Sequence, residues 1–297
     1  MSIVTRYLEP ELVQRLNQLS LGARSVVEGS TVGLHKSPLK GSSVEFRQHR
    51  AYVAGDEPRR LDWRVLARTD RPYIKEYDEE TNLRCLLLLD ASGSMGYGTR
   101  DQTKFDYAGK LVAALAYLML AQTESVGMTL FGDKVQQYVP PSSSTGQLAR
   151  LIDVLERATP QGTSHPARAM HESADRLGRR SLVVIVSDLF APVAQLREGW
   201  AHLRHDRHEV VVLRILDRDE VEFPFRTWAR FRGLEGERAR LCEPAMIRKQ
   251  YLDNFNRHQK ALEDASRSLN VDLATFQTDR PLAQTLTTFL NRRAVGR

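Results

Sequence analysis

Residues 83–96 constrain this chain more than any other stretch. Cys85 to Leu89 form an unbroken apolar run that stops at Asp90-Ala91-Ser92-Gly93-Ser94. A short apolar run bounded by turn residues suits a strand buried on both faces of a parallel sheet. In open α/β sheets ligands bind at the carboxyl ends of the strands, which is where this run turns polar. A carboxylate and two hydroxyls at alternate positions can converge on one hard cation, and oxygen donors suit Mg²⁺ or Mn²⁺.

The pattern downstream supports such a sheet. A helical period begins near Thr103 and runs to Gln122, apolar almost all round, as befits a central buried helix. Val126 to Phe131 reads as a strand. Val135 to Val139 follows it across Gly132-Asp133, a hairpin signal implying one antiparallel edge strand. Helices over 145–158, from Pro166 and over 193–205 alternate with strands over 182–186 and 210–216. A long helix over 244–269, a strand over 271–276 and a helix over 282–293 close the chain. Alternating strands and helices predict an α/β fold with a doubly wound, mostly parallel sheet. His258 lies on the apolar face of the long helix and reads as a core residue.

Before the sheet, residues 9–22 have the spacing of an amphipathic helix, with Leu8, Leu12, Leu16 and Leu19 on one face. Residues 29–43 are rich in Gly, Ser and Lys and read as a loop. Residues 61–66 suit a short helix, and Tyr73 to Tyr77 a half-exposed strand. The expected organisation is an N-terminal extension, residues 1–80, packed on a sheet domain of residues 81–297.

Charge and cysteine content narrow the function. A net +6 arises from 43 basic and 37 acidic residues that are well mixed, giving a mildly basic surface and no nucleic-acid stripe. The basic aromatic segment 223–232 reads as a packed surface loop or partner contact. Two cysteines, Cys85 and Cys242, give neither a disulfide framework nor a metal-ligand spacing. The first residues lack the apolar core of a signal peptide, and the longest apolar stretch, Leu111 to Ala121, is too short to span a bilayer. The expected location is the cytoplasm.

Two more loops bear hydroxyls or carboxylates at the same edge. Gly162-Thr163-Ser164 lies between two helices, and Ser187-Asp188 ends the second apolar strand. The combination resembles the metal-ion-dependent adhesion site of the von Willebrand factor A-like fold. That resemblance assigns Ser92 and Ser94 to direct metal contact. Asp90 and Asp188 act through water, and Thr163 alternates between the two modes. A partner's Asp or Glu completes the set. Residues 52–63, from Tyr52 through Gly55-Asp56 and Pro58-Arg59-Arg60 to Trp63, resemble the signature of the bacterial domain-of-unknown-function 58 family. Lys75-Glu76-Tyr77 and the ending around Thr278-Asp279-Arg280-Pro281-Leu282 fit that family too. The resemblance implies a metal-dependent protein–protein interaction module and not an enzyme. It also implies partnership with a MoxR-type AAA+ ATPase or a substrate of one, in protein maturation or complex assembly.

The competing reading is a serine hydrolase with Ser94 as nucleophile, because Ser92-Gly93-Ser94-Met95-Gly96 is one residue from Gly-x-Ser-x-Gly. Asp188 and His205, His208 or His258 would complete it, but the first position of the elbow carries a Cβ, and none of these three histidines sits in a loop signal. Aspartate-based phosphotransfer is disfavoured by Ser92, which cannot act as the second acid. No Gly-rich phosphate loop is present.

Overall fold

The computed structural model describes residues 6–8, 10, 12–14, 16, 44–52, 61–79, 83–99, 102–177, 180–236 and 238–295. Leu19, the expected loop 29–43 and residues 53–60 of the family-like segment lie outside the described residues. The chain divides into two compact units, Val32–Asn82 and Met1–Thr31 with Leu83–Arg297.

The smaller unit contains two antiparallel strands, β1 (Val44–Ala51) and β2 (Tyr73–Glu79). Between them lies a short helix, α1 (Trp63–Thr69). Asp62 caps it, accepting from the Val65 N–H at 3.3 Å, so one of the orphan donors of the helix start is satisfied.

The larger unit is built on a six-stranded sheet of order β10-β7-β6-β3-β4-β5. The strands are β3 (Arg84–Asp90), β4 (Ser125–Phe131), β5 (Val135–Ser142), β6 (Leu182–Ser187), β7 (Glu209–Leu216) and β10 (Asp272–Gln277). All neighbours pair in parallel except β4 with β5, which are antiparallel, so the expected antiparallel edge strand is present. Around the sheet lie α2 (Lys104–Ala121), α3 (Gln147–Arg157), α4 (Pro166–Arg176), α5 (Val193–His205), α7 (Pro244–Ser268) and α8 (Leu282–Val295). A five-residue helix, α6 (Arg218–Glu222), follows β7, and a small hairpin of β8 (Ala229–Phe231) and β9 (Arg240–Cys242) precedes α7.

Strand β3 explains the layering. Successive side chains in a strand point to opposite faces. Cys85, Leu87 and Leu89 therefore join a core with α2, α3 and α8, together with Tyr7, Leu8, Leu12 and Leu16 near the N-terminus. Leu86 and Leu88 join a second core with α4, α5 and α7 through Met170, Trp200 and Leu262. Each fully buried leucine contributes roughly 1.5–3 kcal/mol, which is why an uninterrupted apolar run is needed here. The chain goes from β3 to β4 on one side and returns to β6 on the other. The carboxyl ends of β3 and β6 consequently meet at the topological switch point, where a crevice forms.

Among the described residues no helix is long and apolar enough to cross a membrane. A half-buried acid lies at the opposite end of the sheet. Glu124, in the turn before β4, is pushed from 4.5 to about 7 by burial, with the Leu83 backbone N–H offsetting part of the effect. An acid bound to its proton more tightly when folded loses stability as pH rises from its unfolded value through its folded one. Glu124→Gln removes that penalty. Its melting temperature should match the parent near pH 4.5 and exceed it at pH 8. A difference that is constant across that window would rule the effect out.

Candidate metal centre

Strand β3 delivers Asp90 to the edge and the chain turns immediately. The Ser92 N–H donates to Asp90 Oδ1 at 2.9 Å. The Ser187 and Ser164 hydroxyls donate to Oδ2 at 2.7 and 2.8 Å. Asp90 is wholly buried and is pushed up to about 6, by desolvation first and then by the negative charge of Asp188, against the hydrogen bonds from Ser187 and Ser92. Beyond it, a single 3₁₀ turn over Gly93–Gly96 holds the Ser92 and Ser94 hydroxyls 3.1 Å apart. Ser92 is buried and Ser94 partly so.

The end of β6 supplies Asp188. It precedes Leu189, which adopts a left-handed backbone conformation with φ of 58° although it carries a side chain. Such a residue costs about 1–3 kcal/mol and persists only where its surroundings demand it. Here the Leu189 N–H is held by Ser187 Oγ at 3.0 Å. Asp188 Oδ2 accepts from Lys104 Nζ at 2.7 Å, and Lys104 donates again to Glu220 Oε1 at 2.6 Å. Lys104 is wholly buried. Burial alone would lower its pKa, but the two carboxylates outweigh that and raise it. Arg214, also wholly buried, donates from Nε to the Asp188 carbonyl at 2.9 Å, and burial lowers it to about 10. The Phe190 ring faces both cations, 5.2 Å from Lys104 Nζ and 5.3 Å from Arg214 Cζ.

Asp90, Ser92, Ser94 and Asp188 are thus gathered at one edge. Thr163 lies exposed on the adjoining loop, and the hydroxyl that reaches Asp90 from that loop is that of its neighbour Ser164. Sequence reasoning did not single out Lys104, Glu220 or Arg214, and it gave no role to Ser164 or Ser187 beside the loop residues it chose. Signals for some were present: Arg214 interrupts an otherwise apolar strand run, and Asp217-Arg218-Asp219-Glu220 has the spacing of a capping box, which forms at α6. The hydrolase constellation does not assemble among the described residues. Ser94 Oγ pairs with Ser92, His208 accepts from the Ser181 N–H, and His258 Nε2 contacts the Leu189 carbonyl. His258 is half-buried and polar-bonded there, not the simple core residue expected. His205 lies in the last turn of α5.

The donors fit a hard cation in kind. Among the described residues no group of three His, Cys, Asp or Glu side chains converges, so an ion bound here would need hydroxyl ligands as well. Asp90, Asp188 and Glu220 against Lys104 and Arg214 leave one buried negative charge. A dication converts that to one positive charge, which favours a further acid.

An α/β domain with an oxygen-lined crevice at its switch point is the class that fold and site define. The family described as "Protein of unknown function DUF58" matches residues 48–261, and the chain belongs to that family. Uncharacterised proteins of Mycobacterium tuberculosis and Mycobacterium bovis are each 26% identical over 295 residues, covering 97% of this chain and 92% of theirs. Among solved structures, the conserved hypothetical protein BatB from Bacteroides thetaiotaomicron is 14% identical and covers 71% of this chain and 98% of its own, with a TM-score of 0.47. The VWA domain of SpRpn10 is 12% identical, covers 70% and 95%, and has a TM-score of 0.43.

Breaking a buried ion pair from one side leaves an uncompensated charge and costs about 3–5 kcal/mol. Lys104→Met strands both Asp188 and Glu220, so urea unfolding should show a loss of that order. Lys104→Met with Glu220→Gln should recover part of it. Equal losses in the single and double variants would show that the ammonium is not balancing Glu220.

Proposed function

We propose that this chain is a divalent-metal-dependent protein–protein interaction module and that it catalyses no reaction of its own. The observation that supports this best is the convergence of Asp90, the Ser92–Ser94 hydroxyl pair and Asp188 at the switch-point edge. In this reading Ser92, Ser94 and Thr163 hold Mg²⁺ or Mn²⁺ directly, with Asp90 and Asp188 in support. Thr163 would have to turn inward from its exposed position. The chemistry such an ion supplies when bound is a positive, oxygen-seeking centre that a partner's Asp or Glu can satisfy.

The protein's own groups prepare the edge for that role. Ser187 and Ser164 orient the Asp90 carboxylate, and its hydrogen bonds favour the ionised form against burial. Lys104 holds Asp188 against α6 and takes the charge of Glu220. Where water is excluded, a charge-assisted contact from a partner carboxylate is strong. The partner class, a MoxR-type AAA+ ATPase or a protein that such an ATPase remodels, rests on the family resemblance. A cytoplasmic setting is part of the same proposal.

Calorimetry with Mg²⁺ and Mn²⁺ tests the metal, and capture from native lysate with and without EDTA tests its use. Ser92→Ala and Asp90→Ala should each weaken metal binding at least tenfold and release the partner, while the melting transition stays cooperative. Capture that is indifferent to EDTA and to Asp90→Ala would sink the proposal. So would labelling of Ser94 by a serine-reactive phosphonate.

A further inference from the structure

If a partner's acid is to reach this edge, something must first move. Asp90 and Ser92 have no solvent exposure and Asp188 has 1%. Part of the cover is the loop between β8 and β9, which follows the basic aromatic segment 223–232 and which the proposed function does not otherwise use. The Leu234 carbonyl oxygen sits against Gly93, in the middle of the Ser92–Ser94 turn. A Cβ on Gly93 would meet that oxygen at 2.0 Å, so only glycine admits the loop there. One residue on, Glu235 Oε2 accepts from the Ser164 N–H at 3.3 Å. Ser164 is the residue whose hydroxyl holds Asp90.

The loop is anchored behind by aromatic packing and meets the edge in front through Leu234 and Glu235. Phe231 at the end of β8 stacks on Phe223 at 5.7 Å between centroids and meets Phe225 edge-on at 5.2 Å. Phe223 in turn packs on Tyr251 of α7. These aromatics fix the base of the hairpin. At its tip, Gly236 has φ of 103°, a conformation that side chains rarely adopt. Among the described residues, two polar contacts join the tip to the edge, the Leu234 carbonyl at Gly93 and the Glu235 carboxylate at Ser164. Elements that open are drawn from the less stable parts of a fold, those held by few buried apolar contacts.

We propose that Glu235 is the chain's own acid at this site, and that the β8–β9 loop is a strap which a partner's carboxylate displaces. The proposal rests on the interaction reading above and adds to it the residue that competes with the partner. The strap places a carboxylate, the group required of a partner, beside the loop that carries Thr163 and Ser164. Closure protects the buried hydroxyls from water and from adventitious acids. Opening exposes them only when a better-placed acid arrives.

Hydrogen exchange of the full chain, followed by mass spectrometry, tests this without a known partner. In metal-free protein, Glu235→Ala should raise exchange across peptide 161–166 at least tenfold, while β3 and β6 exchange as in the parent. Gly93→Ala should do the same by dislodging Leu234 with Glu235 intact; if that variant also loses core protection, Glu235→Ala alone decides. Unchanged exchange at 161–166 in Glu235→Ala overturns the strap. Added Mn²⁺ should slow exchange at 161–166 and 232–238 in the parent and less so in Glu235→Ala. Equal slowing in both would overturn the assignment of Glu235 to the site. Should Mn²⁺ alter neither protein, with no heat in calorimetry, the metal reading fails and the metal-free arm still judges the strap.

Discussion

The ammonium of Lys104, withdrawn completely from water, is the constraint on which the rest of the edge depends. It occupies the first helical position of α2, where the helix dipole disfavours a cation. Asp188 and Glu220 compensate at 2.7 and 2.6 Å. One side chain thereby ties the start of α2, the end of β6 and α6 together. An ion pair this deep contributes little net stability compared with an apolar replacement, because desolvation opposes the attraction. What it supplies is position. The Asp188 carboxylate and the left-handed Leu189 behind it are held in one arrangement.

Around that pair the polar groups of the edge are nearly all accounted for by one another. Asp90 takes three donors, from Ser92, Ser164 and Ser187. Asp217, at the end of β7, takes donors from Thr99, Thr278 and Asp219, and these bonds hold its carboxyl below the ordinary value despite its burial. Asp90 at the end of β3 and Asp217 at the end of β7 are two hydrogen-bonded carboxylates on strands that flank β6. Such a network is rigid when satisfied, because an unpaired polar group in a low-dielectric interior is costly. In the proposed reading, this network is a rigid floor under a displaceable β8–β9 loop. On that proposal, a partner would displace the loop without rebuilding the hydrogen-bonded groups beneath it.

The comparison of chain and structure follows the range of the forces involved. Apolar periodicity is local, and it located β3, β4, β6 and β7 to within a residue or two, together with α2 and the antiparallel β5. The hairpin β8–β9 escaped because its strands are three residues long and draw their support from Phe223, Phe225 and Tyr251 rather than from alternation. Helix α6 escaped because five residues cannot show a helical period; its evidence was a cap. On the hydroxyl loop, sequence singled out Thr163 as a metal contact and gave no role to its neighbour Ser164, whose hydroxyl donates to Asp90. A one-residue choice of that kind depends on the path of a turn, which no spacing rule fixes.

The sequence by itself determined the α/β class, the apolar strand that ends in Asp90-x-Ser92-x-Ser94, and the presence of a second carboxylate at the end of another buried strand. Each of these is written in residue type and period, and hydrophobic burial enforces them wherever the chain goes. Only the tertiary structure decided that Lys104 stands beside Asp188, 84 positions away, that Ser164 and not Thr163 reaches Asp90, and that Leu234 and Glu235 close over Gly93 and Ser164. Those outcomes belong to side chains distant in sequence whose meeting is set by strand order and by electrostatic compensation in a buried crevice. Neither can be read from neighbours along the chain.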